Sequence, residues 1–174
     1  MRRLPPASTG DGEWKFRYCK SFALSARGQL GLLSGRLSGG GGVYQYLDRS
    51  VSELASGDTL LVWAMRQWVD AMRGGRCPCA ALGPALAARG LVAMLPDFNI
   101  AMMLLDREGH AQLQFRPVTC GEVGDDEALL LSLHAAAARG QEILVERIAE
   151  TLVRPAAQRS LRFAATRIAQ FMTA

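Results

Sequence analysis

Residues 125–138 read Asp125-Asp126-Glu127-Ala128-Leu129-Leu130-Leu131-Ser132-Leu133-His134-Ala135-Ala136-Ala137-Ala138. Three acids stand just before a helix predicted over Ala128 to Ala138, where carboxylates complement the positive end of a helix. Leu129, Leu130, Leu131 and Leu133 spread around most of that helix, so it has no broad face to give to water. The pattern predicts the central, most buried element of an all-α protein. Gly140 supplies its stop. Residues 142–153 follow with Leu144, Ile148 and Leu152 on one face and Glu142, Glu146 and Glu150 on another. Arg154-Pro155 divides this helix from a last one, Ala156 to about Met172, because proline suits a first helical position. The connections are short, which predicts antiparallel neighbours.

Upstream, Val43, Tyr46, Leu47, Val51 and Leu54 have helical spacing, predicting a helix over residues 43–55. Ser56-Gly57-Asp58 then stops and restarts the chain, with Asp58 as N-cap of a helix from Thr59 to Arg73 that Gly74-Gly75 ends. On a helical wheel Leu61, Ala64, Met65, Trp68, Val69 and Met72 share one face. Arg66, Gln67, Asp70 and Trp63 take the opposite side, where the Trp63 ring is out of place among polar groups. Residues 80–88 read as a short helix interrupted by Gly83-Pro84. Another is predicted from Asp97, as N-cap, to about Arg107. Gln112 to Arg116 alternate polar and apolar, but a lone strand has no partner, so an extended connector is expected there. The fold class is therefore a compact all-α bundle of roughly five to seven helices with one extended connector.

Residues 1–42 differ in kind. They are basic and Gly-rich and close on Ser38-Gly39-Gly40-Gly41-Gly42, with apolar residues too scattered to offset the entropy of ordering. A disordered leader over 1–42 ahead of one helical domain over 43–174 is the expected organisation. Two further readings concern the leader alone: an organelle transit peptide, from its Arg/Ser-rich, acid-poor composition, or a stretch ahead of a true start near Val43.

The net charge of +4 is unevenly placed. Residues 1–43 carry seven Arg or Lys against two acids, residues 44–153 nine Arg against fourteen acids, and residues 154–174 four Arg and no acid. Basic ends around an acidic middle suit either a polyanion partner or neutralisation within the chain. No apolar run is long enough to predict a transmembrane helix, and no compact apolar block follows Met1-Arg2-Arg3 as a secretory signal would require. A cytoplasmic protein without a membrane association is expected.

Motifs that would define a reaction are missing from the pattern. Cys77-Pro78-Cys79 is one close pair where a structural zinc site commonly needs two, and Cys19, His110, Cys120 and His134 are scattered. The favoured reading is two small, partly buried thiols in a turn, with no cofactor. The glycine run lacks the Gly-Lys-Ser/Thr ending of a phosphate loop. The acids at 122–127 lack the alternation of a calcium loop and are explained as helix-start acids. His134, on the leucine-rich helix, is expected to be a core or interface residue with one satisfied nitrogen.

The last helix keeps the strongest signal. Arg159, Arg162 and Arg167 lie outside its apolar face with Phe163 among them. Arginines around an exposed ring suit a protein interface anchored by the aromatic, or phosphate contact with base stacking. A basic helix neutralised by its acidic neighbour would give the same pattern. The reading that follows is a non-enzymatic protein-interaction or regulatory module, engaging another protein or itself, with Trp63, Arg159, Arg162, Phe163 and Arg167 as interaction candidates. A nucleic-acid-associated accessory protein using the last helix is the alternative, and an enzyme or metal-binding protein built on the scattered Cys and His is the second.

Overall fold

A computed structural model describes residues 43–173 of the chain, with side chains from residue 45. The leader expected over residues 1–42 lies outside them. Six α-helices form: α1 (Ser56–Arg73), α2 (Pro78–Ala87), α3 (Leu95–Glu108), α4 (Asp125–Ala138), α5 (Glu142–Leu152) and α6 (Pro155–Thr173). No strand forms among the described residues, so the all-α expectation holds. Helix α4 runs through the middle, packed on α6, α5 and α1. Its leucines are all fully buried, and even Asp126, Glu127, Ser132 and His134 are removed from solvent.

Helices α3 and α6 make the largest pairing. They run antiparallel: Gly109, just past the end of α3, bridges Val153, just before α6, while Asp97 near the start of α3 meets Arg167 near the end of α6. The first contact is a backbone clip in which Arg154 N donates to Glu108 O at 2.9 Å and His110 N to Leu152 O at 3.1 Å. Gly109 is needed there because a Cβ would collide with the Leu105 carbonyl oxygen.

The helix expected over residues 43–55 does not form. Two short 3-10 turns, Val43–Tyr46 and Val51–Glu53, stand in its place, separated by Asp48 at φ 54°. Residues at and just before the second turn spend their hydrogen bonds elsewhere: Val51 N donates to Gly121 O at 2.8 Å, and Arg49 O accepts from Val123 N at 3.0 Å. Apolar spacing alone does not register such long-range pairing. Asp58 is also not an N-cap, since α1 begins at Ser56 after Ala55. Its carboxylate accepts the Tyr46 hydroxyl at 3.1 Å, and burial raises both groups, Tyr46 to about 12. Helix α2 is continuous through Gly83-Pro84 rather than interrupted, and α3 begins at Leu95, with Pro96 in its first turn.

The extended connector expected at residues 112–116 lies within the irregular segment 109–124 between α3 and α4, and its attachment explains why it needs no sheet. Gln114 N donates to Asp126 Oδ2 at 2.6 Å and Arg116 N to Glu127 Oε1 at 2.9 Å, so alternate backbone amides of the extended segment end on carboxylates at the head of α4. Glu127 Oε2 also accepts from Gly124 N at 2.8 Å, the reciprocal half of a capping box. Gly124 has no side chain to supply the other half.

The charge on Glu127 is answered by Arg66, which the helical wheel places on the polar side of α1 and the structure buries at 3 % exposure. Arg66 Nε and Nη2 each reach a Glu127 carboxylate oxygen at 2.8 Å. The remaining donors go to Cys120 O at 2.5 Å and Glu122 O at 2.6 Å. The buried side of α1 is wider than its apolar residues suggest because α4 packs along it and matches its guanidinium.

Two outcomes follow for stability. Replacing Arg66 with Met leaves Glu127 charged and dry and strands two carbonyls, so urea unfolding should show a loss of about 3 kcal/mol or more; a loss below about 1 kcal/mol would contradict the pairing. The double change Arg66→Met, Glu127→Leu should not restore stability, since it strands the Arg116 and Gly124 amides as well. His134 gives the second. It is buried with Nδ1 unpartnered, and burial pushes it down to about 4 against a smaller opposing influence of the Ala165 backbone. The unfolded chain takes up a proton near pH 6.5 while the fold stays neutral, so stability is full above that pH and falls as pH drops from about 6.5 to about 4, by roughly 3 kcal/mol in all. Asp58 and Asp126, raised by burial, act in the opposite sense at acid pH. A His134→Leu variant isolates the effect: its stability curve should lack the wild-type fall between pH 6.5 and 5.

Candidate functional site

Helix α6 begins at Pro155, runs to Thr173 and carries no acid in its first turn. Ala157, Leu161, Ala164, Ala165, Ile168 and Ala169 are buried, which fixes the direction of the opposite face. Arg159, Phe163, Arg167 and Gln170 are all exposed and fall within about 80° of one another on the wheel. Phe163 sits at the middle of that stripe with 66 % of its surface in solvent. The expectation of an exposed ring was legible from the period of α6 alone.

The arginines around it differ in what holds them. Arg162 turns toward α5 and its Nη1 reaches Glu146 Oε1 at 2.7 Å. Arg167 turns toward α3, with Nε 3.5 Å from Asp97 Oδ2 and its guanidinium 5.3 Å from the centre of the Phe171 ring. Both are therefore steadied by neighbours while still partly in water, where such pairs contribute little to stability. Arg159 has no ion pair among the described residues. Interpolating between the Gly109–Val153 and Asp97–Arg167 contacts places Ile100 of α3, itself 48 % exposed, level with Phe163.

Trp63 does not join this surface in the same way. It is half-buried on α1, with its ring packed against the core cluster. The other large exposed apolar side chains are Val92 at 49 % and Ile143 at 70 %; Ile143, in the first turn of the acidic α5, is one that the wheel did not single out.

The cysteines and histidines do not converge. Cys77 and Cys79 lie at the start of α2, Cys120 in the connector and His134 inside α4, and no three His, Cys, Asp or Glu side chains gather at a metal-binding distance among the described residues. A shallow cleft of about 50 Å³ opens beside Trp68, Arg73, Met102, Leu105, Asp106 and Phe115. That volume holds a water or two, against roughly 300 Å³ or more for a small-molecule site. Leu113 and Phe115 reach this cleft because the connector turns its alternate apolar side chains inward. No helix among the described residues is long and apolar enough to cross a membrane. No protein-family model matches the chain, and no curated protein or solved structure is significantly similar to it.

Proposed function

We propose that the protein is a non-enzymatic interaction module of the cytoplasm and that the outer face of α6, centred on Phe163, is its docking surface for a protein. The observation that carries this reading is the 66 % exposure of a phenylalanine in the middle of a well-packed helix, between cationic side chains. Aromatic and arginine side chains are the residues that most often dominate binding energy at protein interfaces, the ring by filling a dry pocket and the guanidinium by reaching acceptors at its edge. Arg167, held by Asp97 and Phe171, would enter such an interface with less conformational freedom to lose.

Light-scattering mass after size exclusion, over a range of protein concentrations, separates a second copy from a different partner. Phe163→Ser should leave stability within about 0.5 kcal/mol of wild type, because an exposed ring contributes little to the fold. If the chain self-associates through this face, the same change should weaken the association by at least tenfold. If the chain is monomeric, a photo-crosslinking residue at position 163 should label a protein that the same residue at position 143 does not. Equal labelling at the two positions would dispose of the α6 surface.

The absence of any acid from residues 154–174 favours one second reading, a nucleic-acid contact through Arg159, Arg162 and Arg167. It expects binding that weakens steeply with salt and is lost in the triple alanine variant. Salt-insensitive binding, or none, would exclude it.

A further inference from the structure

The corner between α1 and α2 holds two thiols that neither the fold nor the α6 surface uses. Cys77 is exposed and is the N-cap of α2, Pro78 is the first helical residue, and Cys79 follows half-buried. Cys77 makes no side-chain capping bond to the helix. A helical residue holds the Cα atoms on either side of it about 5.4 Å apart, inside the span that a disulfide bridges. At this position that residue is proline, whose fixed φ keeps the spacing constant. The Cys79 thiol is raised first by burial and then by its neighbour Cys77. The corner itself is tied down, with Arg76 N donating to Ala71 O at 2.8 Å and the Arg76 side chain paired to Asp70.

We propose that Cys77 and Cys79 form a thiol–disulfide exchange site whose co-substrate is a low-molecular-weight disulfide. Cys77 is the attacking residue because it is the one in solvent. Its thiolate attacks one sulfur of the incoming disulfide, the S–S bond breaks, and one small thiolate leaves. Cys79 gives its proton to that thiolate or to water and attacks the Cys77 sulfur, which breaks the mixed disulfide and releases the second small thiol. Two electrons and two protons pass from the cysteine pair to the small disulfide, leaving an intramolecular Cys77–Cys79 bond. Excess small thiol reverses every step. In a reducing compartment such a bond is transient, the usual role of a cytoplasmic disulfide being to sense or relay redox state.

The test is incubation of the full-length protein with oxidised and reduced glutathione at graded ratios, followed by intact mass and peptide mapping. The expected result is loss of two hydrogens located to the peptide containing residues 77–79, reversed by dithiothreitol. Cys79→Ser should accumulate one glutathione on Cys77, since nothing remains to resolve the mixed disulfide. Cys77→Ser should slow modification of Cys79 by about tenfold or more, in keeping with a half-buried thiol. A bridge mapped to Cys120 or Cys19 instead, or equal modification rates in the two single variants, would overturn the assignment. Circular dichroism of each variant confirms that the fold is intact in the comparison.

Discussion

Glu127 is the point on which the arrangement of helices depends. One carboxylate accepts the Gly124 and Arg116 amides and both forks of Arg66, and Arg66 in turn binds the carbonyls of Cys120 and Glu122. The middle of α1, distant in sequence, meets there the connector and the head of α4 that follows it. A buried ion pair alone is weak evidence for stability, because desolvation offsets much of the attraction. This pair differs because it also satisfies four backbone groups that a hydrophobic replacement would orphan, and an orphaned buried donor or acceptor costs more than a made bond contributes. The pair therefore acts as the fastening of an irregular segment.

That fastening explains how an all-α protein accommodates an extended stretch of chain at its edge. A strand's amides ordinarily need a neighbouring strand. In residues 112–116 the amides of Gln114 and Arg116 find Asp126 and Glu127 instead, while Leu113 and Phe115 turn toward the core. The acids at the start of α4 thus serve two ends at once. They favour the helix electrostatically and they receive the connector.

Much of this was legible in the sequence where local signals and burial agree. Helix α4 ends at Ala138 ahead of Gly140 as read, but begins at Asp125 rather than Ala128, its three acids forming the first turn instead of preceding it, and the α5–α6 division falls at Arg154-Pro155. What was not legible depended on contacts distant in sequence. A period count on residues 43–55 gives a helix, but their amides and carbonyls pair with residues 121–123. A wheel assigns Arg66 to water because charge usually lies there, and no local feature of α1 reveals that Glu127 waits opposite. The one available hint was Glu127 itself, three residues after Gly124 at a helix start, where a reciprocal cap is expected. The exposure of Phe163 needed only the apolar period of its own helix. Trp63, read by the same wheel, is half-buried because the core-facing side of α1 is broader than its apolar stripe.

Among the described residues four large apolar side chains stand in solvent, and exposure by itself does not single one out. Apolar atoms make up more than half of an ordinary protein surface. Ile143 is slightly more exposed than Phe163 but sits in the first turn of α5, beside Glu142. Val92 belongs to a 3-10 turn of three residues. Phe163 lies in the interior of a helix anchored along its opposite face by six buried residues, so its position is fixed by packing. Around it the charges are of one sign along the stripe; Arg162 and Arg167 are braced by acids on α5 and α3, while Arg159 has no ion pair among the described residues. An aromatic ring offers a large contact area with few rotatable bonds, and braced cations beside it restrict which partner charges can approach. The combination of fixed backbone, rigid ring and oriented positive charge distinguishes the α6 face from the other exposed apolar positions.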